Sequence, residues 1–151
     1  MSADLVFMMG EFEARFPTDR LYAKNHMWAS PVDDALRFGF TAYAVRLLQD
    51  VYFLDLTIEP GMQLKAKQEI GSIESKKAES SLYSPIAGRV LNNNSDLLDD
   101  PSAINVDKYG RGWLFELQGD PSELLTPPQY LEHLSAAWEV AQRTIKGQVN
   151  S

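Results

Sequence analysis

Ile73-Glu74-Ser75-Lys76-Lys77-Ala78-Glu79-Ser80-Ser81-Leu82-Tyr83-Ser84-Pro85-Ile86-Ala87-Gly88 reads as a strand, a tight charged turn and a second strand. Lys77 falls at the tip of the turn. Ser75, Ala78, Ser80 and Ser81 are small, which leaves the amine uncluttered for an enzyme that must close over it. A lysine held out on a hairpin supported from both sides is a candidate for acylation. The residues flanking it in the turn are Glu74, Ser75, Lys76, Ala78 and Glu79.

Upstream, Val51 to Ile58 is dense in β-branched and aromatic residues and predicts a strand that Pro60-Gly61 turns. Gly61-Met62-Gln63-Leu64 and Gly88-Arg89-Val90-Leu91 each place a glycine before a short strand, one on either side of the lysine hairpin. Thr41 is placed to cap a short helix, Ala42 to Gln49. Leu21 to Lys24 and Met27 to Ala29 predict strands, broken by Ser30-Pro31-Val32-Asp33-Asp34, and Ala35 to Phe40 alternates as another. Residues 1–20 read as an N-terminal arm or short helix ahead of a domain spanning 21–151.

Downstream, the polar runs Asn92 to Asp96 and Asp99 to Ser102 predict a short helical or looped excursion. Trp113 to Leu117 predicts a final strand. Thr126, Pro127 and Gln129 form a capping-box signature for a helix over 127–146. Leu131, Leu134, Trp138, Ala141 and Ile145 give that helix one apolar stripe, with Arg143 and Lys146 in its last turn and Gly147 as its stop.

Composition bounds the function. The chain of 151 residues carries 44% hydrophobic and 23% charged residues, which fits one globular domain with its own core. A net charge of −7 argues against a nucleic-acid partner, because phosphate binding requires clustered Lys and Arg. The absence of cysteine excludes disulfide frameworks, thiolate metal sites and cysteine nucleophiles. Neither a signal peptide nor a membrane-length apolar run is evident, so a cytoplasmic monomer without membrane contact is expected. The two histidines, His26 and His133, lie far apart in sequence and have no metal-spaced carboxylates. His26 is expected to satisfy a hydrogen bond beside Trp28, and His133 to face solvent. Neither a metal site nor a catalytic residue is expected.

The core Glu74-Ser75-Lys76-Lys77-Ala78 resembles the lipoyl-attachment segment of the glycine cleavage H-protein family. The resemblance extends through His26-x-Trp28, Gly39-Phe40-Thr41-x-Tyr43-Ala44, Leu48-x-Asp50, Asn105, Tyr109-Gly110-Arg111-Gly112-Trp113 and Asp120-Pro121-Ser122-Glu123-Leu124. It implies a mainly β fold, a lipoyl/biotinyl-type barrel-sandwich hybrid with a short internal helix and a C-terminal amphipathic helix. It also implies a non-catalytic carrier with lipoate in amide linkage on Lys77. Biotin is the rival cofactor, but biotinyl domains flank their lysine with methionine, where this chain has Lys76 and Ala78.

The resemblance further implies two carboxylates at a cleft that receives the arm. Met27 replaces one of them and Ser81 the other, and Asn25 replaces a common serine before His26. The possible docking cleft is therefore Asn25, His26, Met27 and Ser81. Losing both anions disfavours a cationic aminomethyl cargo, whereas a polarisable thioether suits sulfur. On these grounds the chain is most similar to the H-like lipoate-binding proteins of the sulfur-oxidising heterodisulfide-reductase-like system. The expected arm then shuttles a sulfur-containing intermediate or electrons to that complex. The alternative is a glycine cleavage H protein carrying an aminomethyl group among the glycine cleavage enzymes, and the second alternative is an unmodified binding module. A lipoate-protein ligase and dihydrolipoamide dehydrogenase are the other expected partners.

Overall fold

The computed structural model describes residues 4–150, with side chains through residue 143. Its elements are β1 (Leu5–Met9), β2 (Phe12–Phe16), β3 (Leu21–Tyr22), β4 (Met27–Val32), β5 (Ala35–Phe40), α1 (Ala42–Leu48), β6 (Val51–Leu56), β7 (Gln63–Leu64), β8 (Glu69–Ser75), β9 (Glu79–Tyr83), β10 (Gly88–Asn93), α2 (Ser95–Asp99), α3 (Ala103–Val106), β11 (Phe115–Gly119) and α4 (Pro127–Asn150). A six-stranded sheet runs β3-β4-β5-β11-β10-β7, and a three-stranded sheet runs β6-β8-β9. Alternating strand positions from both sheets, among them Phe38, Phe115, Val90, Leu64, Ile70 and Ile73, bury a common aliphatic core. This is the mainly β sandwich with a C-terminal helix that the sequence predicts; α1 is the expected short internal helix, α2 lies in the helical excursion expected between Asn92 and Ser102, and α3 directly follows it.

The two glycine-led segments meet. β7 pairs antiparallel with β10, Leu64 opposite Gly88 and Gln63 opposite Arg89. The internal echo on either side of the lysine hairpin is thus a pair of hydrogen-bonded strands.

Residues 5–16 form an antiparallel β-hairpin, not a helix. Burial along Leu5–Met9 alternates with period two, and Gly10, at φ +66°, opens a two-residue turn that suits a right-twisted hairpin. Met1 to Ala3 lie outside the described residues. This hairpin and α4 enclose a second core that is mostly aromatic, containing Phe16, Tyr22, Trp28, Tyr43, Tyr130 and Leu134. Tyr22 and Tyr130 stack in it at 4.7 Å.

Two boundaries also differ from expectation. β4 continues through Ser30 and Pro31 and turns only at Asp33-Asp34, where Asp33 has φ 55°. β3 pairs only with Trp28 and Ala29, so one side of β4 is open at Pro31 and its missing N–H removes no ladder bond. α4 begins with the expected capping box: Gln129 Oε1 accepts from Thr126 N–H and Thr126 Oγ1 accepts from Gln129 N–H. It then runs on through Gly147 to Asn150, since one glycine costs a helix only about 1 kcal/mol relative to alanine. The side chains of Ile145 and Lys146 lie outside the described set. No helix among the described residues is long and apolar enough to cross a membrane.

Candidate functional site: a lysine hairpin beside an uncharged groove

β8 and β9 pair from Glu69 opposite Tyr83 to Glu74 opposite Glu79, and the chain reverses through Lys76 and Lys77. Neither loop residue has a positive φ, so the turn lacks the backbone twist that favours two-residue hairpins. It is held by added bonds. Ser75 N–H donates to Ala78 O at 2.8 Å, and Ala78 N–H donates to Ser75 Oγ at 3.1 Å. Lys76 N–H donates to Asp50 O at 2.8 Å. The accepting carbonyl is itself fixed. Asn105 Nδ2 donates to Gln49 O at 2.7 Å and Asn105 Oδ1 accepts from Val51 N–H at 3.0 Å, clamping both sides of Asp50.

Lys77 is exposed at this tip and makes no ion pair among the described residues. Glu74 and Glu79 are exposed and directly opposite one another below it, with Phe53 next to Glu74 on β6. Ala78 and Ser75 are partly buried, and Lys76 is exposed. All six residues proposed from the sequence for the attachment turn therefore share one tip.

A groove of about 210 Å³ runs beside β9, lined by Asn25, His26 and Met27, by Phe40, Ala44, Leu47 and Leu48, and by Ile73 and Ser80 to Tyr83. It contains the four cleft residues read from the sequence. Ser80 and Ser81 lie three and four residues beyond Lys77 on β9, roughly 10–13 Å at the rise of a strand. No Asp, Glu, Lys or Arg lines the groove. Met27 is 1% exposed, and Asn25 Nδ2 donates to Tyr83 O at 3.0 Å, tying the start of β4 to the free edge of β9.

His26 adopts φ 71°, a left-handed conformation uncommon outside glycine. Its Nδ1 lies 2.9 Å from Tyr130 Oη, which lies 3.0 Å from Thr41 Oγ1. Its ring packs 4.6 Å from that of Tyr43. Burial, with a smaller contribution from His133, pushes His26 down to about 4. Burial raises Tyr130 far above the usual phenol range. His133 does not simply face solvent: its Nε2–H donates to Lys24 O at 3.0 Å and its ring sits 5.5 Å from His26. The fold thus joins two histidines that sequence separation keeps apart.

Sequence reasoning predicts α1 and includes Tyr43 in the resemblance, but it places neither α1, Tyr43 nor Tyr130 at the site. A tyrosine four residues after the Thr126 cap, in phase with Leu134, is the signal that marks Tyr130 as core-facing. Among the described residues, no cluster of three or more His, Cys, Asp or Glu side chains is arranged to hold a metal ion.

The glycine cleavage H-protein family matches residues 20–142, a span that holds the groove and the lysine hairpin and leaves out β1 and β2. A probable glycine cleavage system H protein of Natronomonas pharaonis is 42% identical over 117 residues, 76% of this chain and 92% of that protein. The glycine cleavage system H protein of Thermobifida fusca is 41% identical over 118 residues, 77% and 93% of the two chains. The crystal structure of a glycine cleavage system H protein from Mycobacterium marinum matches with a TM-score of 0.69 at 35% identity, covering 80% of this chain and 99% of that one. Such proteins are non-catalytic carriers with lipoate covalently bound to a lysine. By sequence, fold and coverage together, this chain belongs to the glycine cleavage H-protein family.

Proposed function

We propose that Lys77 is the lipoyl-bearing lysine and that the chain presents the arm to successive enzymes, in the manner of the glycine cleavage H proteins it resembles. The observation that carries this reading is the exposed, unpaired amine at a turn braced by Ser75 and Asp50. The residues present fit the group. The amine is accessible for amide formation, and the apolar groove along β9 begins within the span of a lysine side chain extended by an octanoyl-derived chain. When bound, lipoate supplies a dithiolane that opens to a dithiol. The protein's own part is to hold the stem of the arm rigid and to offer its far end a place out of water. A lipoate-protein ligase loads Lys77, the glycine cleavage enzymes receive the arm, and dihydrolipoamide dehydrogenase restores the disulfide.

A second reading is favoured by one specific observation. With Met27 and Ser81 at the groove and no carboxylate lining it, nothing there compensates the desolvation of a cationic cargo. That supports a sulfur-bearing cargo and partners of the heterodisulfide-reductase-like kind. The names of the relatives support glycine cleavage, and the groove supports sulfur.

Intact-mass measurement after co-expression with a lipoate ligase tests the attachment. Wild type gains one lipoyl increment and Lys77→Arg gains none; an increment that survives in Lys77→Arg overturns the assignment. Glycine-dependent carbon dioxide exchange with glycine decarboxylase then separates the roles. Sustained exchange supports glycine cleavage, and its absence from fully lipoylated protein supports sulfur.

A further inference from the structure

The hydrogen-bond chain behind the groove fixes which nitrogen of His26 carries the proton. Thr41 Oγ1 is fully buried and accepts from Ala44 N–H at 3.4 Å, so its own proton needs an acceptor. Tyr130 Oη, at 3.0 Å, is the acceptor the described residues provide. The Tyr130 proton must then point at His26 Nδ1, 2.9 Å away. This assignment gives the hydroxyl protons of both Thr41 and Tyr130 an acceptor. It leaves the neutral imidazole protonated on Nε2, and among the described residues that N–H has no hydrogen-bond acceptor.

Resting on the Lys77 reading, we propose that His26 Nε2–H is the polar handle of the groove, a fixed neutral donor for a hydrogen-bond acceptor on the lipoyl arm. The ligand class is an acceptor, either the arm's amide carbonyl or a sulfur of its open form. A protonated amine carries only donors and is rejected by a donor of this kind. Three structural features support a built device. His26 holds φ 71°, a strain of the kind retained where a side chain must be aimed. Tyr43 and Tyr130 pin its ring. The ring also stays neutral through the physiological range, because burial pushes it down to about 4.

Long-range proton–nitrogen correlation NMR on the full-length ¹⁵N-labelled chain tests this directly, since the protein has two histidines and the His133→Gln variant assigns them. The expected result is an Nε2–H tautomer at His26. Its signal moves when Lys77 is lipoylated, as confirmed by intact mass, and does not move in Lys77→Arg treated identically. Movement in the disulfide form points to the amide carbonyl, and movement only after reduction points to sulfur. Tyr130→Phe should turn the single tautomer into a mixture. As a second readout, opening of the dithiolane by a water-soluble phosphine should change roughly fivefold in His26→Ala, as expected for loss of one hydrogen bond, becoming faster where the bond holds the amide carbonyl of the resting arm and slower where it holds a sulfur of the open form, and should stay close to wild type in His26→Gln, which keeps a donor. An Nδ1–H tautomer, or an unmoved His26 signal in fully lipoylated protein, overturns the inference. Failure to lipoylate with any ligase instead removes the Lys77 reading, and this inference with it.

Discussion

The lysine hairpin and the groove beside it share β9 and are built in opposite ways. The hairpin is contiguous, exposed and charged, and its geometry is held by backbone bonds and one serine hydroxyl. The groove gathers residues from the start of β4, from β5 and α1, and from β8 and β9, and no ionised side chain lines it. A lysine offered for attachment must be reachable by an enzyme coming from solvent, and the residues that present Lys77 are consecutive, with the Asp50 carbonyl bracing them from outside the hairpin. A resting place for the arm must exclude water, which only elements distant in sequence can enclose. The difference teaches that one strand can serve two neighbouring features, a tip built locally and a pocket built from elements far apart in sequence.

The sharpest way to break this contrast is at Gly71, under the hairpin. Its φ is +155°, and a Cβ there would lie 2.0 Å from Asp55 O. Gly71→Ala should cost about 3 kcal/mol or more, read as a fall in Tm, and should lower lipoylation because β8 no longer supports the turn. A wild-type Tm would mean that β6 and β8 move apart freely.

Next in size is the acid response of the groove. His26 titrates lower in the fold, at about 4, than its ordinary 6.5. The unfolded chain therefore binds its proton first, and the stability present above pH 6.5 is lost as pH falls toward 4. That loss is about 3 kcal/mol, and denaturant midpoints across this window should show it. His26→Gln should flatten that part of the profile while the hairpin's own chemistry is unchanged.

Smaller still, Ser75→Ala removes the hydroxyl that accepts from Ala78 N–H and should cost about 1 kcal/mol by chemical denaturation, together with slower ligase turnover at Lys77. Least of all, Ser81→Asp at a partly exposed position should change stability by less than about 0.5 kcal/mol. Its effect should appear instead in the glycine-dependent exchange assay as a gain, because it returns an anion to the groove. An unchanged exchange rate would detach the role of the groove from its charge.

Much of this architecture was legible in the sequence because its signals are local. The strand–turn–strand around Lys77, the Thr41 cap and the Thr126–Gln129 box each need only neighbouring residues. The strands of the N-terminal hairpin are not legible because Leu5 to Met9 is apolar throughout, which hides its period-two burial. Pro31 was read as a break because its neighbours across the sheet are invisible from sequence. Asn25 to Met27 and Ser81 were legible only through resemblance. The pairing of His26 with Tyr130 and His133 could not be read at all, since it spans more than a hundred residues and depends on how α4 docks.

The Asn105 clamp has a consequence for how such a carrier tolerates change. By gripping Gln49 and Val51 it aims the Asp50 carbonyl at the root of the lysine turn, so the α2–α3 excursion is mechanically wired to the tip. Insertions in that excursion, which look like harmless surface decoration, would tilt the tip that presents Lys77. The direction in which Lys77 projects can thus change without altering a single residue of the lysine hairpin.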